Sequence, residues 1–162
     1  MKIFSLILSL FLLSSCEIQY GMLDTSIDAD SFSVGIFEEQ AANAPAGYGI
    51  DFTEYLRDFL VSRSKMKLRT DEADIEINGK IKSYFTEATA IQTDEAALNS
   101  LKVTIEVSVV NNRDEKQSFE KSFFQLSNFE ADTDFNSVES ALLEDINEKL
   151  SQDILNELSK NW

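Results

Sequence analysis

Cys16 carries the only thiol in the sequence, so the chain cannot form an intramolecular disulfide and must rely on its core for stability. Its sulfur is a potential nucleophile for covalent modification. Cys16 directly follows Leu13-Ser14-Ser15, which closes an apolar run that starts at Ile3. One positive residue, Lys2, precedes that run. This end of the chain therefore combines a charged start, an apolar middle and small residues before a cysteine that can be modified.

The apolar run is too short to remain in the mature protein as a membrane span. Residues 3–13 would form a helix of about 16 Å at roughly 1.5 Å per residue. A bilayer core is about 30 Å thick. The pattern instead predicts a secretory signal peptide over residues 1–15, cut after the small residues Ser14 and Ser15.

Leu13-Ser14-Ser15-Cys16 resembles the lipobox of bacterial lipoproteins. In that family the cysteine becomes the first mature residue, takes a diacylglycerol on its sulfur and receives a further acyl chain on its amine. The resemblance implies that Cys16 is lipidated and holds the protein on a membrane, because each buried CH₂ contributes about 0.8 kcal/mol and several chains act together. The alternative is a plain signal peptide followed by a chance cysteine.

The composition argues against several classes of function. The chain has 14 basic and 29 acidic residues, with a net charge of −15, and shows no basic stripe for nucleic acid. It contains no histidine, the commonest general base and zinc ligand. There is also no glycine-rich phosphate loop. We therefore expect a protein that is not an enzyme, without catalytic residues, metal or cofactor.

Two acidic clusters are candidate sites. The alternating oxygen ligands of residues 130–136 suggest a calcium loop, but Ser137 and Leu143 stand where such a loop needs glycine and glutamate. Acidic groups before a helix also suit its dipole without a metal. Residues 71–76 could offer paired carboxylates for acid–base work. They precede a predicted strand without any sign of a cleft, so solvated charge is the better interpretation.

Hydrophobic periodicity predicts four strands and two helices. Apolar residues alternate over residues 31–36, 75–85, 101–109 and 116–126, which is the strand period. One apolar helical face starts at an N-cap, Asp51, and ends near residues 63–65. A longer helix follows Asn136, with apolar residues every fourth position. The predicted organisation is a signal peptide (1–15), a lipidated N-terminus and tether (16–30) and one domain (31–162).

The predicted fold class is α+β: a two-layer sandwich in which two helices cover one face of about four mostly antiparallel strands, in the order β-α-β-β-β-α. Gly79 is a possible bulge. On the parity of the pattern, the helix-facing residues of the second strand are Ile75, Ile77, Ile81 and Phe85. The outward-facing residues are Ser31, Ser33, Lys80, Lys82, Tyr84, Glu106 and Ser108.

The outward face either faces water or docks against a partner or lipid. Aromatic residues exposed together would favour docking. The candidates are Phe124, Phe129, Phe135 and Trp162.

The element order after a lipobox resembles the LptE family of lipopolysaccharide-assembly lipoproteins, in its Bacteroidetes-type form. The resemblance covers essentially the whole mature chain. The segments that carry it are residues 96–101 running into 103–105, residues 116–123, and the closing Asn161-Trp162.

This resemblance implies an outer-membrane lipoprotein that assembles with the LptD β-barrel, plugs it and contacts lipopolysaccharide (LPS). The basic residues available for LPS are Lys80, Lys82, Lys116 and Lys121. The acidic charge departs from that expectation, since it repels lipid A phosphates. Either divalent cations bridge, or these lysines suffice, or LPS binding is weak. The alternative function is an auxiliary lipoprotein of an ABC-type envelope transporter, whose fold is similar.

Replacing the lipobox cysteine tests the anchor directly. Cys16→Ser removes the acylated sulfur, so the variant should accumulate as an uncleaved or soluble species. Membrane fractionation and intact mass measure this, with Ser14→Ala as the matched control that keeps a small residue before the cut. A fully processed Cys16→Ser protein that stays on the membrane would contradict lipidation.

Overall fold

The computed structural model describes residues 28–89 and 97–160. The elements of these ranges are β1 (Ser31–Val34), β2 (Glu38–Glu39), α1 (Tyr48–Arg63), β3 (Lys67–Leu68), β4 (Ile75–Thr89), β5 (Leu98–Asn111), a 3-10 turn (Glu115–Gln117), β6 (Phe119–Glu130) and α2 (Phe135–Lys160). Several predictions concern residues outside these ranges. These are the predicted signal peptide, the proposed lipidation site Cys16, most of the tether, Ala96 and the closing Asn161-Trp162.

The strands form one mixed sheet in the order β3-β1-β4-β5-β6, with β2 pairing to a later part of β4. The three long strands β4, β5 and β6 are antiparallel neighbours. The short strands pair in parallel, β1 with β3 and both β1 and β2 with β4. Since α1 lies between β1 and β4 in the chain, it provides the crossover that a parallel pair requires. The predicted α+β sandwich is confirmed, with six strands in these ranges where about four were expected.

Both helices pack on one face of this sheet, as predicted. The four-residue repeat of α2 is buried at Leu142, Ile146, Leu150, Ile154 and Leu158. It shares one hydrophobic core with Phe52, Leu56 and Leu60 of α1 and with the inward side chains of β5, Leu101, Val103, Ile105, Val107 and Val109. Burial of these apolar side chains, at about 25 cal/mol per Å², is the main favourable contribution to the fold.

A β-bulge reverses the faces of β4 near its middle. Ile81 pairs with Ile105, but Ser83 pairs with the next residue, Thr104, so one extra residue is accommodated in β4. Beyond this point Tyr84 is buried and Phe85 is 39% exposed on the opposite face. The predicted placement of Phe85 inside and Tyr84 outside was wrong, because a one-residue shift moves every later side chain to the other face.

Gly79 is not the bulge; it makes room for a core aromatic ring. A Cβ at Gly79 would lie 2.2 Å from Cε1 of Phe37. Phe37 is buried and packs edge-on against Phe52, with ring centroids 4.9 Å apart. The absent side chain therefore lets Phe37 cover β4 and reach the helix.

The helix ends differ from the prediction at their starts. Helix α1 begins at Tyr48, behind Gly47 in a left-handed conformation (φ 89°), so Asp51 lies in the first turn and is not the N-cap. Glycine adopts this left-handed conformation without steric cost. The side-chain capping pattern used to predict the helix start does not detect a start of this kind. The helix ends at Arg63, within the predicted range. Helix α2 begins at Phe135, one residue before Asn136.

A polar cluster, the Asp74 clasp, fixes the start of the domain. One Asp74 carboxylate oxygen, Oδ2, accepts hydrogen bonds from the Ser31 backbone N–H and hydroxyl, both at 2.9 Å. The other, Oδ1, accepts one from Arg113 Nε at 2.9 Å, and Arg113 Nη2 donates to Asp30 at 2.6 Å. Ser31 is therefore buried, and its predicted outward exposure was wrong. The clasp holds residues 28–31 against the turn between β5 and β6.

The clasp also shifts the titration of Asp74. Burial alone raises the pKa of this carboxyl, but hydrogen bonds from Ser31, the Asp30 backbone and Arg113, with the charge of Arg113, outweigh it and lower the pKa. A lowered folded-state pKa stabilises the protein above the ordinary value of about 3.9. That contribution disappears as the pH falls through the folded pKa.

Asp74→Asn should therefore lower the urea midpoint at pH 7, and its difference from wild type should shrink as the pH falls below about 4. Urea unfolding followed by circular dichroism between pH 2 and 7 measures this. Asp132→Asn, on an exposed turn, is the charge-matched control and should track the wild type. A gap that stays constant across this range would contradict the clasp's electrostatic role.

Candidate interaction face

The outer face is the side of the β4–β5–β6 sheet that turns away from both helices. Its residues follow from the pairing register: across β4 and β5, Lys80 pairs with Glu106 and Phe85 with Lys102. Across β5 and β6, Lys102 pairs with Leu126 and Thr104 with Phe124. Most of these side chains are polar or charged. Ser33, Lys80, Glu106 and Ser108 were predicted to face outward, and the register of β4 and β5 places the last three there.

Three large apolar side chains interrupt this polar surface at one end. Phe124 is 57% exposed, Phe85 39% and Leu126 38%. Lys102 lies between them, with Nζ 4.9 Å from the Phe124 ring centroid and 5.9 Å from that of Phe85. We call Phe85, Lys102, Phe124 and Leu126 the Phe–Lys patch. It combines apolar area with a positive charge on a strongly acidic protein, which suits an apolar partner carrying a negative group.

Lys102 differs from several of the other basic residues. Within residues 28–89 and 97–160, no carboxylate forms an ion pair with it. By contrast, Lys149 pairs with Asp145 at 2.6 Å, and Lys121 pairs with Glu157 at 2.7 Å. In this described part of the chain its positive charge faces the Phe85 and Phe124 rings, so a partner's anionic group would add an interaction there without displacing a carboxylate of this chain.

The four lysines singled out from the sequence lie at separate places. Lys80 is on the outer face, 3.8 Å from Glu106. Lys82 is at the bulge and donates a hydrogen bond to Gln40 at 2.9 Å. Lys116 is exposed in the 3-10 turn. Lys121 is on the helix side, bonded to Glu157. The fold does not bring them into one site.

The aromatic residues proposed to be exposed together are also separated. Phe124 is on the outer face, whereas Phe129 and Phe135 are partly buried against the core with ring centroids 5.7 Å apart. Trp162 lies outside the described residues. Phe85 is the aromatic residue that accompanies Phe124 on the outer face, and sequence parity placed it in the core.

A groove of about 430 Å³ separates the two helices near their contact. It is lined partly by Tyr48, Tyr55, Glu139, Glu144 and Asn147. The Tyr48 hydroxyl donates to Asn147 Oδ1 at 2.8 Å, and the Tyr84 hydroxyl donates to Glu139. Burial raises the pKa of both phenols well above the ordinary value. They therefore stay protonated at neutral pH and tie the helices to each other and to the sheet.

The acidic clusters make no convergent site in the described part of the chain. Asp74 belongs to the clasp, and Asp134 Oδ1 lies 3.4 Å from the Asn136 backbone N–H. Across residues 28–89 and 97–160, no three carboxylate, cysteine or histidine side chains are grouped to hold a metal ion. In the same residues, neither helix has a stretch both long enough and apolar enough to cross a bilayer.

Sequence reasoning missed the Phe–Lys patch for a definable reason. Lys102 alternates with the apolar residues of β5, but its neighbours in the patch come from two other strands. Their registers depend on the bulge in β4 and on the exact pairing of β6. Adjacent phenylalanines at 123 and 124 were the available signal, because in a strand one of them must face outward.

Comparison with protein families gives a match over most of the chain. The model of the LptE family, described as lipopolysaccharide-assembly, matches residues 29–158. This span runs from the clasp to near the last turn of α2. No curated protein matches the chain significantly.

Solved structures with the same fold come from several bacteria. A minor lipoprotein from Acinetobacter baumannii has a TM-score of 0.54 at 16% identity, covering 83% of this chain and 95% of its own. A hypothetical protein from Chlamydia trachomatis gives 0.55 at 10% identity, covering 81% and 96%. Rare lipoprotein B from Shewanella oneidensis gives 0.51 at 12% identity, covering 80% and 94%. At these identities the likeness shows the shared fold.

The neighbouring phenylalanines of β6 test the assignment of its two faces. Phe123→Ala empties a core position that is 8% exposed and should cost about 3 kcal/mol or more of unfolding free energy. Phe124→Ala, the matched control, removes an outward ring and should change it by less than about 1 kcal/mol. Urea unfolding measures both. Equal losses, or a larger loss for Phe124, would contradict the register of β6.

Proposed function

The chain belongs to the LptE lipopolysaccharide-assembly family, and we propose that it is an outer-membrane lipoprotein that assembles with an LptD-like β-barrel and plugs its lumen. The observation that carries this proposal is the family match over residues 29–158, which includes nearly all of the described residues. The other features of the molecule support a role in which the protein acts by fitting against another macromolecule.

The shape of the body suits a barrel lumen. Strand β4 has 15 residues, or about 50 Å at 3.3 Å per residue. Helix α2 has 26 residues, or about 39 Å at 1.5 Å per residue. Both exceed the apolar band of an outer-membrane barrel, which is about 25 Å tall. A body of this length can extend through such a barrel along its axis.

The charge of the chain favours a complementary partner. The full sequence has a net charge of −15, which suits a lumen lined with positive side chains, because complementary potentials orient a partner and suppress wrong ones. The outer face adds the Phe–Lys patch as a local apolar contact. A structural role of this kind needs no catalytic group, in keeping with a sequence that lacks histidine and with tyrosines held in their protonated form.

Direct contact with LPS is part of the proposal. Lys80 is the best placed of the four lysines, because it shares the outer face with Lys102 and its 3.8 Å contact with Glu106 is long. Lys82 and Lys116 are exposed and remain candidates for phosphate contacts. Lys121 is held by Glu157 and would have to exchange that partner. Divalent cations would offset the repulsion between lipid A phosphates and the acidic body.

The anchor completes the arrangement. We propose that acylated Cys16 holds the chain on the membrane and that residues 16–30 form the lipidated N-terminus and tether. The Asp74 clasp holds residues 28–31 beside the turn that joins β5 to β6. The tether would therefore leave the body at the end of the sheet that carries this turn.

Depletion of the protein in its native host tests the proposal. We expect the folded fraction of the LptD-like barrel to fall several-fold and surface LPS to decrease, because the barrel loses its plug during assembly. Heat-modifiable migration of the barrel on gels and surface labelling of LPS measure these effects. Plasmid-borne wild type should restore both.

Two results would contradict this function. One is a normally folded barrel with intact LPS export after depletion. The other is affinity purification of the chain with an inner-membrane ATPase complex in place of a barrel, which would favour the ABC-transporter alternative.

A further inference from the structure

Strand β6 forms an open edge of the sheet. Among the described residues it has a neighbour on one side only, β5. Just beyond the strand, the Ala131 N–H donates to the Ala97 carbonyl at 2.9 Å. Because hydrogen-bonded pairs alternate along an antiparallel ladder, this bond shows that the odd-numbered residues of β6 exchange hydrogen bonds with β5. In an antiparallel pair the alternate residues direct their backbone groups to the other side. The N–H and C=O groups of Ser122, Phe124, Leu126 and Asn128 therefore face outward from the sheet edge.

This edge has few of the features that normally block strand addition. Natural edges are shortened, charged, bulged or interrupted by proline. The opposite edge follows that rule, since β3 has two residues and is flanked by Arg69. Strand β6 has twelve residues, pairs without a register shift and carries no charge over residues 122–129. Among residues 28–89 and 97–160, one side chain bonds to the outward backbone groups of this edge: Lys149 Nζ donates to the Leu126 carbonyl oxygen at 3.3 Å.

The side chains above and below the β6 edge could contact both faces of an added strand. The residues whose backbone groups face outward from this edge include Phe124 and Leu126, whose exposed side chains lie beside Lys102. An added strand would take the place of Lys149 at the Leu126 carbonyl. On the helix side, a groove of about 260 Å³ runs between β6 and the last turns of α2, lined by Ser122, Asp153 and Asn156 among others. An added strand would place alternate side chains on the Phe–Lys patch and the others in this polar groove.

We propose that the β6 edge binds an extended segment of a second polypeptide as an additional strand. On its outward side this segment has apolar residues, with one carboxylate placed for Lys102, and on its other side it has polar residues. The carboxylate is inferred from charge complementarity, because Lys102 has no acidic partner among the described residues. This interaction goes beyond the proposed function and does not depend on which protein supplies the strand.

Charge also distinguishes this occupant from a second copy of the chain. Antiparallel self-pairing that sets Phe124 opposite Leu126 would set Glu120 opposite Glu130 at both ends of the ribbon. Each copy would also bring a net charge of −15. Like charges directly opposite each other destabilise strand pairs, so a different polypeptide fits the edge better.

A synthetic strand tests the proposal on the processed full chain in mild detergent. The probe is a fluorescein-labelled ten-residue peptide, Thr-Val-Thr-Val-Thr-Glu-Thr-Val-Thr-Val, whose carboxylate lies in its apolar row. Fluorescence anisotropy should show saturable binding. A peptide with Lys in place of Glu should bind at least fivefold more weakly, although the protein as a whole is acidic.

Two variants at one position locate the site. Ser122→Pro removes an edge N–H and places a ring where the added strand would lie, while the odd-numbered bonds to β5 remain. It should weaken binding at least tenfold. Ser122→Ala keeps the N–H and should bind within twofold of wild type. Hydrogen exchange of the wild type gives a readout that needs no variant: added peptide should slow exchange of the Phe124 and Asn128 amides.

Several results would overturn the proposal. These are a wild type that does not bind the peptide, a folded Ser122→Pro variant that binds as wild type does, and unchanged exchange at the β6 edge. Sedimentation equilibrium tests whether a second copy of the chain binds the edge instead. A wild-type dimer that is lost in Ser122→Pro would mean that a second copy fills the edge. Each of these measurements is independent of any β-barrel, so its failure is distinguishable from failure of the proposed function.

Discussion

The structure depends on burying one face of a long antiparallel sheet beneath two helices. The alternate apolar residues of β5 and the four-residue repeat of α2 meet in one core, to which α1 adds Phe52, Leu56 and Leu60. Because both helices lie on the same side, the outer face and the β6 edge are left without a covering layer in the described part of the chain. The surfaces available for interaction are therefore a direct consequence of how the core is made.

The bulge in β4 connects this core to the interaction face. By accommodating one extra residue between Ile81 and Ser83, it turns Tyr84 inward and Phe85 outward. Tyr84 then reaches Glu139 of α2, and Phe85 reaches Lys102 on β5. One local irregularity thus gives the inner face a polar link to a helix and the outer face an aromatic residue. At the other end of the sheet, the Asp74 clasp fixes where the chain enters the domain.

Patterns within a single element predicted much of this structure. The alternation in β5 and the apolar repeat in α2 are strong because each face is uniform over many residues. Features that depend on contacts between distant segments were missed: the position of the bulge, the short parallel strands, the burial of Ser31 by Asp74 and the Phe–Lys patch. Each depends on pairing register or on one long-range hydrogen bond, which neither composition nor periodicity encodes. The resemblance to the family rested on the order of elements along the whole mature chain and not on a single motif. The four lysines were chosen by their charge, and the fold places them apart.

The proposed function makes this body the bound, membrane-anchored subunit of a β-barrel complex. Native mass spectrometry of the complex extracted in mild detergent tests it most directly, since one spectrum reports both the stoichiometry and the mass added to Cys16. We predict a one-to-one complex of the acylated chain with an LptD-like barrel. An unmodified chain that appears free, with no barrel bound, would contradict the account.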